Sequence, residues 1–221
     1  MKRRLPRSLA EAAWQELHEE IITLQLKPGT PLVLSEQAQR LGMSIMPIRE
    51  AISKLQMEGL VSQEPQRGAT VAPLSITDLE DVYRVRVELE GLAVRRAATM
   101  IGPADRERLE NILGQYGDAY MKGDERVGRD FHRQFHLMLY ATGKSPTLNR
   151  LIPPLFDNSE RYRVLSLYDA ARSVEDRLKG HRAILEACWS HDAEAAGRLV
   201  VEHLERTVQS AKARIAEFSL V

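Results

Sequence analysis

The sequence predicts a mainly α-helical protein in two parts: an N-terminal head of short helices with one small β-hairpin, then an all-α bundle of six helices. Three observations carry this. Apolar residues recur at helical spacing along most of the 221 residues. Only one stretch, residues 60–72, has β-prone composition around a turn. Pro and Gly punctuate the remainder at intervals that suit helices. The boundary between the parts falls at residue 74, giving domains 1–74 and 75–221.

In the head, residues 9–26 form an amphipathic helix that stops at Lys27-Pro28-Gly29-Thr30-Pro31. A short helix over 35–41 follows, capped by Ser35 and ended by Gly42. Ser44 can cap the next helix, 44–58, whose first turn tolerates Pro47 and whose stop is Gly59. "LVSQEPQRGATVA" then reads as a hairpin about Pro65-Gln66-Arg67-Gly68. Helix, short helix, tight turn, helix, hairpin is the order of a winged helix-turn-helix, whose second helix can lie in a DNA major groove. Ser44, Ile45, Met46 and Arg49 would face the DNA, with Ile48, Ile52 and Leu55 turned to the core. Arg49 suits a bidentate guanine contact and Ser44 a phosphate. At the wing tip, Arg67 beside Gly68 could reach the backbone or minor groove. Charge does not decide the partner: Lys+Arg and Asp+Glu each number 31, and the one local basic excess is Lys2, Arg3, Arg4 and Arg7.

Beyond Pro73 the helical pattern breaks at Gly102-Pro103, Gly123, residues 143–146, residues 168–172 and residues 190–192. Six helices result, one interrupted by Pro153-Pro154. No run of 18 apolar residues and no apolar signal core is present, and Cys188 is the one cysteine. These features predict a cytoplasmic protein without a membrane span or disulfides.

Four of the six histidines stand in register with one another. "RDFHRQFHLMLYATG" puts His132 and His136 one helical turn apart. Taken alone, such a pair more often fills space than binds an ion. His181 and His203, however, sit ten and eleven residues either side of the turn at His191-Asp192. At 1.5 Å per residue each lies about 15 Å from it, so antiparallel packing brings them level. An i,i+4 pair facing two level histidines is how helical bundles build metal sites. Four neutral imidazoles suit a divalent transition metal, zinc first with nickel among the alternatives. The pattern argues against a zinc protease: His132-Arg133-Gln134-Phe135-His136 has arginine where an H-E-x-x-H helix has its general base. No phosphate loop, dinucleotide turn or Ser/His/Asp signature is found.

"GMSIMPIREAISKLQMEGLVSQEPQRGATVAPLS" resembles the DNA-binding module of GntR-type transcriptional regulators. The matching positions are Gly42, Ser44, Pro47, Arg49-Glu50-Ala51, Leu55, Glu58-Gly59-Leu60-Val61 and Arg67-Gly68, within a resemblance spanning residues 9–75. The family usually has arginine directly after the serine; this chain has Ile45. The rest, residues 76–213, resembles the FCD effector-binding domain of the FadR branch. There "VYRVRVELEGLA" carries Arg86 and Glu90, "FHLMLYATG" His136, "GHRAILEAC" His181 and "EHLERT" His203. Six helices in place of seven are similar to the VanR-like subgroup.

The resemblance implies a ligand-responsive repressor or activator that is not an enzyme. It binds double-stranded operator DNA as a homodimer, because one small head gives limited affinity and half-sites repeat about every 34–36 Å. It also implies a metal held by three histidines and an Asp or Asn, here replaced by His132, and a small carboxylate effector assisted by Arg86. The plainer role for Arg86 is a surface i,i+4 pair with Glu90. A metal-dependent enzyme fused to a nucleic-acid-binding head, or a pure metal sensor, are the alternatives.

Overall fold

The computed structural model describes residues 8–64, 68–167 and 173–218. Arg67 and the basic arm at residues 2–7 lie outside the described residues. The chain divides into two compact units, Met1–Ser75 and Ile76–Val221.

In the first unit, α1 (Leu9–Ile22) starts where the Ser8 hydroxyl accepts a hydrogen bond from the Glu11 amide. It ends four residues before the expected stop at Leu26. Leu24 takes a left-handed φ of 61°, and the Leu26 amide folds back to donate to the Glu20 carbonyl. The cause lies downstream. After a turn at Gly29 (φ 79°), residues 30–32 run beside the hairpin, with Pro31 bridged to Thr70 and the Gly29 and Leu32 amides donating to the carbonyls of Val71 and Ala69. This pairing also corrects the expected cap of α2 (Leu34–Leu41). Val33, held extended after Leu32, occupies the N-cap, so Ser35 falls inside the first turn. Gly42, at φ 64°, ends α2 as expected.

α3 (Ile45–Met57) follows, then β1 (Val61–Glu64) and β2 (Gly68–Val71), paired antiparallel from Val61↔Val71 to Glu64↔Gly68. Ala13, Leu17 and Ile21 from α1 pack with Ile48, Ala51, Ile52 and Leu55 from α3, closed below by Leu32, Leu60, Val61 and Val71. At the edge of this core the Trp14 indole donates to Glu58 at 2.8 Å, and Lys54 sits over the same ring.

The second unit contains α4 (Ile76–Met100), α5 (Pro103–Met121), α6 (Glu125–Thr142), α7 (Pro146–Asn158), α8 (Glu160–Leu167), α9 (Val174–Trp189) and α10 (Ala193–Phe218). The all-α bundle is as expected, but among the described residues it has seven helical segments where six helices were expected. Pro153 and Pro154 stay inside α7, and the interruption falls at Ser159. Proline forfeits a backbone donor yet keeps a helical φ, so buried Ile152 and Phe156 can hold the turn. Ser159 instead points its hydroxyl back at the carbonyls of Leu155 and Phe156, a local bond that competes with the helix ladder. α10 packs on α4, α8 and α9, and α5 on α6 and α9. The end of α6 approaches α4 closely: a Cβ on Gly143 would lie 3.0 Å from the Arg96 Cβ and 3.1 Å from the Ala97 nitrogen. Among the described residues no helix is long and apolar enough to cross a membrane.

Candidate metal centre

Three helices bring the four histidines together. His132 and His136 project from one face of α6, His181 comes from α9 and His203 from α10. One ligand nitrogen from each lies within 4.8 Å of the others. His132, His136 and His181 are buried and His203 is half-buried. Phe156, Tyr116 and Phe135 pack against the rings, so the walls are largely aromatic.

The partners of the outer nitrogens assign the tautomers. His181 Nδ1 donates to the Arg177 carbonyl at 2.7 Å, which leaves a lone pair on Nε2. His136 Nδ1 lies 3.0 Å from the Tyr140 hydroxyl, which itself donates to Glu90 at 2.7 Å. That hydroxyl therefore accepts from His136, and His136 Nε2 also carries a lone pair. The two Nε2 atoms face each other at 3.2 Å. Two facing acceptors repel unless a cation stands between them. A proton suits the place poorly. Burial, followed by the neighbouring imidazoles and Arg86 and Arg163, holds His136 well below the ordinary histidine range. His132 is lowered likewise, by burial first and then Arg163, and its Nδ1 is buried without a hydrogen-bond partner. Neutral imidazoles with inward lone pairs, outward hydrogen-bonded as at His136 and His181, are the form in which histidine ligates metal, so the donor set fits a divalent transition metal.

Arg86 and Glu90 do form the i,i+4 pair, at 2.6 Å, but inside the protein rather than at its surface: their side chains are 4% and 0% exposed. A second guanidinium nitrogen of Arg86 donates to the Ser159 hydroxyl at 2.8 Å, and the group stacks 4.6 Å from the Phe156 ring. Arg86 is thus separated from the histidines by one aromatic ring on one side and by Glu90 and Tyr140 on the other. Burial, then the Glu90 charge, raises the Tyr140 hydroxyl well above its ordinary value, so it remains a donor.

Sequence reasoning missed Tyr140, Ser159 and Arg163. Tyr140 had a local signal, since it follows His136 by four residues in "FHLMLYATG". Arg163, buried and paired with Glu160 at 2.5 Å, had none, because only the tertiary fold sets its charge near His132 and His136.

In the first unit, Ser44, Ile45, Met46 and Arg49 all lie on the exposed side of α3, opposite buried Ile48, Ile52 and Leu55. The Ser44 residue occupies the N-cap position but its hydroxyl makes no capping bond. Gly68 opens β2 at φ 75°. Arg67 is outside the described residues.

Residues 9–71 match the model of bacterial regulatory proteins of the gntR family, and residues 81–206 match the FCD domain. The chain is 28% identical over 203 residues to the HTH-type transcriptional regulator McbR of Escherichia coli, covering 91% of each protein. It is 29% identical over 196 residues to the E. coli HTH-type transcriptional repressor RspR, covering 89% of this chain and 86% of that protein. The solved structure of E. coli McbR/YncC aligns at a TM-score of 0.77 with 27% identity, over 93% of this chain and 98% of that one.

Proposed function

This chain belongs to the gntR family of bacterial regulatory proteins and carries an FCD domain, and from that premise we propose that its operator binding is controlled by a small organic acid at a metal site. It is a DNA-binding transcriptional regulator, not an enzyme. His132, His136, His181 and His203 hold the metal, zinc before nickel for an all-nitrogen set. The observation that carries the reading is the pair of Nε2 lone pairs facing at 3.2 Å within a cluster of four imidazoles.

A divalent ion there would supply an uncompensated positive charge and a coordination position for an anion. Arg86 adds charge from behind Phe156, although Glu90 and Ser159 already engage two of its nitrogens. A carboxylate gains the metal as a ligand and the Arg86 charge only at longer range; neutral sugars gain neither. In the head, Arg49 and Ser44 contact base and phosphate, Ile45 and Met46 meet base edges, and Arg67-Gly68 forms the wing contact. The protein acts as a homodimer on two half-sites. Control requires the acid to bind two states of the dimer unequally, since equal affinity shifts nothing.

Elemental analysis of the untagged protein tests the centre: about one divalent metal per chain is expected, and much less in His136→Ala. Equal metal in both overturns the assignment. Thermal shift with mono- and dicarboxylates tests the effector. Stabilisation should require the metal and should weaken in Arg86→Ala. Stabilisation undiminished after chelation leaves the histidines a structural role only.

A further inference from the structure

The exposed side of α3 carries two large apolar side chains in its first turn, besides Arg49 and Glu50. Ile45 is 47% exposed and Met46 62%. The head does not need them for its core, which Ile48, Ala51, Ile52 and Leu55 fill from the opposite face. A single exposed aliphatic requires no explanation. Two adjacent ones are placed here at the start of the helix that, in a winged helix-turn-helix head, enters the major groove. The apolar group that base edges offer in that groove is the C5 methyl of thymine.

We propose that Ile45 and Met46 read thymine, so that each operator half-site presents a thymine methyl to this pair and selects the base by burying the methyl. The inference rests on the DNA-binding reading of the head and specifies part of the sequence it recognises. Ile45 and Arg49 are one helical turn apart, about 6 Å along the axis. Base pairs stack about every 3.4 Å. The thymine therefore lies within about two base steps of the guanine that Arg49 contacts, and the two readings lock into one register.

The test uses the full-length protein and a random-sequence duplex pool. The enriched duplex is then remade with each thymine in turn replaced by uracil, which deletes the methyl and leaves every hydrogen-bonding group. At one or two positions within two steps of a G·C pair, affinity should fall about fourfold, the ratio that corresponds to burying one methyl. Ile45→Ala or Met46→Ala should erase the thymine–uracil difference at that position and leave the Arg49-dependent guanine preference in place. Uracil tolerated at every position overturns the inference, as does a thymine–uracil difference that survives both substitutions. A pool from which nothing is enriched overturns the DNA-binding reading, and the inference with it.

Discussion

The outer face of α3 and the histidine cluster use the same kinds of side chain under opposite conditions. Arg49 stands exposed on one helix. Arg86 is buried, paired with Glu90 from its own helix and with Ser159 at the α7–α8 junction, and Glu90 in turn receives Tyr140, which orients His136. The first arrangement keeps each reader independent of its neighbours. The second makes every group depend on the next, because low-dielectric surroundings make an unmatched partner costly. Substitutions on the outer face of α3 should therefore change recognition and spare stability, whereas substitutions around the cluster should change metal binding and cost stability.

The largest expected effect is in the interior. Glu90→Ala leaves the Arg86 charge buried and unpaired, and should cost about 3–5 kcal/mol in denaturant unfolding. Asp81→Ala, which breaks an exposed pair with Arg84 on the same helix, is the control and should cost almost nothing. Equal losses would break the contrast drawn above.

On the outer face, Arg49→Ala should lose about 1–3 kcal/mol of specific DNA affinity at fixed salt, with base preference relaxed at one position. Its unfolding midpoint should match that of the unaltered protein; a marked drop would show that Arg49 serves the fold.

Tyr140→Phe sharpens the comparison because it removes one oxygen and no ligand. Metal affinity, measured by competition with a chromophoric chelator, should weaken about 10–100-fold. Unchanged affinity would mean that the outward hydrogen bond of His136 does not position it.

A further test concerns pH in chelator-treated protein. His132 and His136 have folded-state values below the ordinary one, so below about pH 6.5 the unfolded chain binds the additional protons. Stability then falls as pH drops, by about 1.4 kcal/mol per pH unit for each histidine that stays neutral. Unfolding midpoints that stay flat from about pH 7 to about pH 5.5 would contradict it.

Features set by local chemistry were legible in the sequence. Gly42 and Gly59 marked helix ends of the head, Ser44 marked the start of α3 although its hydroxyl makes no capping bond, and Ile48, Ile52 and Leu55 marked its core face. Two level histidines across a turn and an i,i+4 pair sufficed to bring His132, His136, His181 and His203 together. What escaped depended on pairing at a distance. The early end of α1 and the shifted start of α2 follow from residues 29–32 joining β2, some forty residues away. The junction at Ser159 was masked by two prolines that the packed helix tolerates. The burial of Arg86 with Glu90 was invisible because i,i+4 spacing is the same on a surface and in a core.

The two faces of α3 bear on how such a protein can diverge. Ile48, Ala51, Ile52 and Leu55 hold the head together; Ile45, Met46, Arg49 and Glu50 leave its core untouched. Exposed substitutions usually shift stability by less than about 0.5 kcal/mol, so a lineage can exchange these four one at a time without passing through an unfolded ancestor. A duplicated copy could drift to a new set of promoters by single steps while its buried interior stays unchanged. The interior around the histidines has no such freedom, since altering one member of the Arg86–Glu90–Tyr140–His136 chain strands the next.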